Sequence, residues 1–253
     1  MREPDLLYKL YERRLLAALD SRRIPRHVGV MLDGNRRWAR AVGMPAAHGH
    51  RRGADKITEL LEWSAEVGVE VVTLWMLSTD NLKRDPDEVS DLLDIIATAV
   101  ETVAADGQWR LKHVGSFELL PQGVADRLRA AERRTQEASG MQVNVAIGYG
   151  GRDEIADAVR SLLRERARAD ESLESVAAGL TVADIADHLY TKGQPDPDLV
   201  IRTSGEQRIG GFLLWQSVHS EYYFCEAYWP DFRRVDFLRA LRDYAQRERR
   251  LGR

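Results

Sequence analysis

Cysteine is nearly absent from this chain. Of 253 residues only Cys225 carries a thiol, so an internal disulfide is impossible, and an oxidised secreted scaffold and a cysteine-rich metal site are both excluded. The expected location is therefore the cytoplasm. Long apolar runs are missing too: no uninterrupted stretch approaches the roughly 20 residues of a membrane helix. Residues 1–14 show neither the apolar core nor the cleavage signal of a secretory peptide. An excess of either charge is also lacking. Lys and Arg number 37 against 40 Asp and Glu, a net charge of −3, which argues against a general nucleic-acid binder while leaving room for a local basic pocket. Internal repeats and low-complexity segments are not found, and 44% hydrophobic residues are ordinary for a globular core.

Several catalytic signatures are missing as well. Without GxxxxGK[ST], a P-loop nucleotide enzyme is unsupported. The junction GYGGRDEI has two glycines of a dinucleotide fingerprint, but Arg152 and Asp153 stand where the third belongs, so a tight strand-to-helix turn is the better account. His48 and His50 lie two apart with no third His or Cys nearby, which disfavours zinc. There is no GxSxG elbow, and Cys225 sits among aromatics as a packed residue. Asp87, Asp91 and Asp94 share a helical face and read as solvated acids near a helix start.

What is present is an alternation. Within residues 1–24, apolar spacing predicts an amphipathic helix over residues 5–19. The strand-like run from His27 to Leu32 passes into the polar stretch DGNRRWAR; a helix from about Arg51 to Val67 follows, then a strand from Glu70 to Leu77 and a second polar loop, STDNLKR. Asp85, Pro86 and Glu88 spell a helix start with a capping box, for a helix running to about Ala105. Further strands are expected at RLKHVGS, QVNVAIG and DLVIRT, with helices over residues 121–138 and up to about Arg168, and another closing the chain. Residues 164–180 read as a mobile surface connection, too short to be a domain linker. The expected fold is α/β: one domain over residues 1–253, with a largely parallel sheet flanked by helices.

In such sheets the ligand site lies outside the carboxyl ends of the strands. The loops bring Asp33, Asn35, Arg36, Arg37 and Arg40 there, then Ser78, Thr79, Asp80, Asn81, Lys83 and Arg84, and last Arg202, Ser204, Glu206 and Arg208. One arginine is ordinary surface decoration. Three strand ends that each carry arginine beside a carboxylate or amide point to a polyanion, phosphate or diphosphate, held by guanidinium forks and a divalent cation. Helix starts at Gly49–Gly53 and Gly151–Arg152 are expected to add backbone donors.

With LDGNRRWAR, STDNLKR and RTSGEQR, the chain resembles the cis-prenyltransferase family of (Z)-isoprenyl diphosphate synthases, in family order, from His27 to the terminal RERRLGR. The resemblance implies a Mg²⁺-dependent condensation of an allylic diphosphate with isopentenyl diphosphate. It makes Asp33 the catalytic aspartate and a Mg²⁺ ligand, and wraps the allylic diphosphate with Gly34, Asn35, Arg36, Arg37, Trp38 and His50. Asn81 matches an asparagine associated with proton removal, beside Ser78, Thr79, Asp80 and Arg84. Arg202, Arg208, Ile209 and Gly210 match the isopentenyl diphosphate site, and Glu221 the second metal-linked carboxylate. A homodimer built through C-terminal elements such as EYYFCEAYWPDF is implied, with at most peripheral membrane contact.

The chain departs from the family pattern at several points. Ala46 replaces a usual arginine, Leu77 and Leu82 replace aromatics, Gly210 stands for a serine and Gly148 for an asparagine. Met76 stands where long-chain members commonly have a small residue. In the family the growing chain threads between the sheet and two helices, so Met76, on the strand facing the helix with Val89, Leu92, Leu93, Ile96, Val100 and Val103, is expected to stop the product early, at (2Z,6E)-farnesyl diphosphate made from geranyl diphosphate. That apolar face is equally compatible with simple core packing. Three alternatives stand beside this expectation: a long-chain synthase, a non-catalytic partner subunit of the same fold, and a general anion or nucleic-acid binding module.

Overall fold

The computed structural model describes residues 6–247, so the end of the RERRLGR stretch lies outside the described residues. Six strands form one sheet: β1 (His27–Met31), β2 (Val71–Ser78), β3 (Arg110–Val114), β4 (Gln142–Tyr149), β5 (Leu199–Arg202) and β6 (Glu221–Phe224). Their order is β3-β4-β2-β1-β5-β6 and every pairing is parallel. From β1 the chain moves towards β2, whereas β5 lies on the other side of β1. The carboxyl ends of β1 and β5 therefore flank a point where the connections diverge, which is where an open α/β sheet leaves a crevice. β1 is buried at all five positions, as expected of a central strand covered on both faces.

The helices are α1 (Leu6–Ala17), α2 (Asn35–Ala41), α3 (Ala46–Val67), α4 (Pro86–Asp106), α5 (Gln122–Thr135), α6 (Gly151–Arg168), α7 (Leu173–Gly179), α8 (Val182–Ala186) and α9 (Arg234–Gln246). α4 starts because Asp85 accepts from the Asp87 and Glu88 backbone N–H groups and Pro86 needs no N–H partner at its position. Leu92, Leu93, Ile96, Val100 and Val103 are then buried in one core with Leu60 and Leu61 of α3, Leu74 of β2 and Leu128 of α5. Each such side chain contributes about 1.5–3 kcal/mol by leaving water. A smaller cluster occupies the other face of the sheet, built from Met31, Tyr149, Val200, Phe212 and Leu213 with Trp75, Tyr190 and Tyr222 against it.

Four sequence expectations change. The stretch DGNRRWAR is loop only as far as Gly34, and the rest is α2. α3 begins at Ala46 rather than Arg51, which makes Gly49 and Gly53 interior helix positions and not a helix start. Residues 164–180 are largely helical, divided between the end of α6 and α7, rather than a loose connection. Glu88 closes no capping box; its carboxylate turns instead to Arg84 and Arg36.

Candidate active site

Asp33 is fixed through its backbone before its carboxylate does anything. The fully buried Thr203 hydroxyl accepts from the Asp33 N–H at 3.0 Å and donates to its carbonyl at 2.7 Å, tying the end of β1 to the end of β5. The Gly34 N–H donates to Asp33 Oδ1 at 2.8 Å. Gly34 has φ of 103°, and a Cβ there would meet Tyr228 Cδ1 at 2.8 Å and Ser204 Cβ at 3.0 Å, so only glycine fits. α2 then lies directly on α3, because a Cβ on Gly49 would meet the Asn35 carbonyl oxygen at 2.2 Å and one on Gly53 the Asn35 Oδ1 at 2.2 Å. These two glycines serve helix contact; their N–H groups belong to the helix ladder and bind no anion. At α6 the Gly151 N–H donates to the Gly211 carbonyl at 3.0 Å and so is also committed.

The Asp33 carboxylate lies between two arginines, with Arg202 Nη2 at 2.9 Å from Oδ2 and Arg37 Nη2 at 3.6 Å from Oδ1. Arg37 also donates to Ser204 Oγ at 2.6 Å and to Glu206 Oε1 at 3.2 Å. Arg208 pairs with Glu206 at 2.8 Å, and its carbonyl accepts from Arg202. Across the rim, Arg84 donates to Asn81 Oδ1 at 2.7 Å and shares Glu88 Oε1 with Arg36, at 3.4 and 3.5 Å. Partial burial, and secondarily the neighbouring Arg36, holds the Arg84 pKa below its ordinary value. His50 Nε2 is buried with no hydrogen-bond partner. Burial first, then the Arg84 charge, push its pKa down to about 4, so the ring is neutral at neutral pH.

Two connected clefts open here. One, of about 620 Å³, is lined by Asp33, Arg37, Ser78, Asp80, Arg202, Arg208 and Gly210 among others. The second, of about 360 Å³, is lined by Gly34, Asn35, Arg36, Arg40, His50 and Leu92, and both share Leu32, Asp33, Arg37, Met76, Asn81 and Arg84. Guanidinium groups therefore surround a space that admits a substrate, with Asp33 the carboxylate common to both clefts. That arrangement suits an anion of high charge accompanied by a cation.

Not every expected residue converges. Trp38 stacks on His48, centroids 5.8 Å apart, and lines neither cleft. Thr79 and Ile209 also lie outside both linings, Ile209 being exposed. Glu221 is the main correction. It begins β6, level with Leu199 and hence with Val28, about 16 Å below Asp33 at roughly 3.3 Å per residue. Its carboxylate is held by Arg247 at 2.6 Å, at the opposite end of the sheet. Within one chain Glu221 cannot join Asp33 on a metal. Arg40, Leu92 and Glu206 line the clefts as the sequence expects, while Trp75, which lines the larger cleft, and Glu88, which braces Arg36 and Arg84, were not assigned there from sequence.

Asp33 is the carboxylate shared by both clefts, Asp80 and Glu206 on the larger one being paired with Lys83 and with Arg37 and Arg208, and no group of three or more His, Cys, Asp or Glu side chains suited to a metal occurs among the described residues. That set fits Mg²⁺, which characteristically binds one or two carboxylates and completes its shell with water and substrate phosphate.

Comparison with known proteins gives the same picture. A family model described as "Putative undecaprenyl diphosphate synthase" matches residues 31–252. Isoprenyl transferase 1 of Streptomyces avermitilis is 58% identical over 247 residues, 98% of this chain and 96% of that protein. A (2Z,6E)-farnesyl diphosphate synthase of Thermobifida fusca is 59% identical over 247 residues, 97% of each chain. The crystal structure of lavandulyl diphosphate synthase from Lavandula x intermedia, in complex with dimethylallyl diphosphate, superposes with a TM-score of 0.86, covering 92% of this chain and 100% of that one at 30% identity. The chain belongs to the undecaprenyl diphosphate synthase family and is a prenyltransferase forming Z-isoprenyl diphosphates.

Proposed function

We propose that the protein condenses geranyl diphosphate with isopentenyl diphosphate to give (2Z,6E)-farnesyl diphosphate, with Mg²⁺ on Asp33. The observation that carries the product length is the closure of the cleft at Met76. On β2, Trp75 pairs with Ala146 and Leu77 with Ile147, so Met76 is an extra residue in a β-bulge, a device that re-aims a side chain. Met76 and Leu92 line the smaller cleft, whereas Leu93, Ile96 and Val100 beyond them are buried at 2–4% exposure in packed core. A tail entering between the sheet and α4 therefore meets a wall early. The relatives bearing short-chain names support the same length.

In this proposal the allylic diphosphate lies among Gly34, Asn35, Arg36, Arg37, His50 and Arg84, and the isopentenyl diphosphate against Arg202, Arg208 and Gly210. The allylic C–O bond breaks, its electron pair leaving with the diphosphate. The isopentenyl double bond supplies the electrons of the new C–C bond, and a proton is then lost. Arginines fixed in advance on both sides stabilise the departing charge without having to reorganise. When bound, Mg²⁺ supplies further electrophilic stabilisation of that diphosphate. Asn81, oriented by Arg84, is an amide and not a base at neutral pH; its part in proton loss is to orient the group, and an anionic diphosphate oxygen takes the proton. The proposal extends to a cytoplasmic homodimer with at most peripheral membrane contact. It is supported by the half-buried aromatic residues Tyr222, Tyr223 and Phe224 on the edge strand β6, and no helix among the described residues is long and apolar enough to cross a membrane.

The test is product chromatography from geranyl diphosphate and excess isopentenyl diphosphate with Mg²⁺. A single added unit is expected from the wild type and longer products from Met76→Ala. Mainly long chains from the wild type would overturn the proposed product.

A further inference from the structure

We infer that Trp75 is a positioning residue for the second substrate, setting the loop that carries its diphosphate and so governing affinity for isopentenyl diphosphate independently of product length. This rests on the reading of Arg202, Arg208 and Gly210 as the isopentenyl diphosphate site. Alternation along β2 sends Trp75 and Met76 to opposite faces of the sheet, and the bulge leaves Met76 and Leu77 on the same one. Met76 packs against the core under α4, and Trp75 packs with Tyr149 and Phe212 on the other face. Its ring stacks on the fully buried Phe212 with centroids 5.2 Å apart and planes 8° from parallel, and meets Tyr149 edge-on at 6.4 Å.

The same ring also limits the loop above. Gly210 has φ of 65°, and a Cβ there would lie 3.2 Å from Trp75 Cζ3 and 3.5 Å from Arg202 Nη1. Residues 209–212 form a tight turn, with the Phe212 N–H donating to the Ile209 carbonyl at 3.3 Å and the Gly211 carbonyl held by the Gly151 N–H at 3.0 Å. One indole therefore anchors the far end of this turn through Phe212 and supports its near end at Gly210. That turn follows Arg208, whose carbonyl accepts from Arg202, and Arg202 reaches Asp33. The indole N–H is buried without a partner, a cost that a phenylalanine would not carry. The position thus uses the size of the bicyclic ring rather than its polarity, and size is what a glycine at 210 complements.

Steady-state kinetics on the intact enzyme test this with Trp75→Phe, Trp75→Ala and Gly210→Ala, measuring KM for each substrate and product length. Trp75→Ala is expected to raise KM for isopentenyl diphosphate about tenfold, and Trp75→Phe about threefold, with KM for geranyl diphosphate and product length unchanged. Gly210→Ala is expected to raise the same KM, and the double variant Trp75→Phe/Gly210→Ala to fall short of the product of the single effects, because the smaller ring makes room for the methyl. If Trp75→Ala proves unstable in thermal unfolding, Trp75→Phe decides alone. A rise shared equally by both substrates, an unchanged KM, or an altered product length would overturn the inference. Failure of the wild type to use isopentenyl diphosphate would instead strike the proposed function.

Discussion

Acidification from about pH 7 to pH 5 is expected to destabilise this protein steeply, because three histidines are neutral inside the fold. Burial is the leading cause at each, taking His27, His50 and His113 from 6.5 down to about 4. The hydrogen bonds at His27 show what protonation must break. Its Nδ1 faces the Pro195 carbonyl at 2.8 Å, which only accepts, so Nδ1 carries the hydrogen. Nε2 then accepts from Thr73 Oγ1 at 2.7 Å, and Thr73 accepts from Asn144 at 2.9 Å. A second proton on the ring would point a donor at a donor. His113 Nε2 faces the Ile147 carbonyl at 2.9 Å.

The sign follows from linkage. Each ring has a folded pKa below its unfolded one, so its contribution is complete above about 6.5 and is lost as pH falls towards 4, where the unfolded chain binds the proton that the folded chain refuses. At pH 5 the loss is about 2 kcal/mol per ring and about 6 kcal/mol for three, comparable with the whole stability of a typical domain. Glu132 and Glu154, whose pKa values burial pushes up, act in the opposite sense and soften the slope. Urea midpoints measured across this range at constant m would show it, with roughly a third of the histidine slope removed in His113→Gln, whose amide can still donate to Ile147. A flat midpoint between pH 7 and 5, or an unchanged slope in that variant, would refute the assignment of neutral buried rings.

Two further outcomes follow from the rim. Asp33→Asn keeps the shape but removes the charge that faces Arg37 and Arg202; Mg²⁺-dependent turnover is expected to fall by at least about a hundredfold, and near wild-type turnover in a condensation assay would remove Asp33 from its role. Gly34→Ala forces a left-handed backbone on alanine and drives its methyl into Tyr228, a cost of about 2–5 kcal/mol. Chemical denaturation should report that cost, and a loss below about 1 kcal/mol would show that the turn relaxes freely.

Much of the fold could be read in the sequence because its signals are local. Apolar runs closed by polar loops marked the strands, and Asp85-Pro86 marked the start of α4 where the structure has it. Short helices were harder to see. α2 has seven residues, too few for periodicity to separate it from a loop, and it is stabilised by lying on Gly49 and Gly53, a contact between segments. Those glycines were misread for the same reason: glycine beside basic residues resembles an anion-binding helix start, and only the packing of α2 on α3 shows that the missing side chains make room for a backbone. Glu88 reads in the sequence only as a capping residue, because its pairing with Arg36 and Arg84 depends on which helix faces point into the cleft.

Glu221 shows that residue type and neighbourhood are weaker guides than strand polarity. In an all-parallel sheet, side chains that follow a strand reach the ligand rim and side chains that open one lie at the other end. Asp33 follows β1, Ser78 through Arg84 close or follow β2, and Arg202 through Gly210 close or follow β5; apart from Trp38, Thr79, Lys83, Ser204 and Ile209, the residues expected on these three loops line the two clefts. Glu221 opens β6, and that alone assigns it to the side where Arg247 holds it. EYYF is a strand parallel to DLVIRT, a pairing that its aromatic run does not by itself announce in the sequence. A carboxylate in that position lies away from the rim of its own chain, where Asp33 is the carboxylate common to both clefts and the charge balance around it is set by Arg37, Arg202 and Glu206.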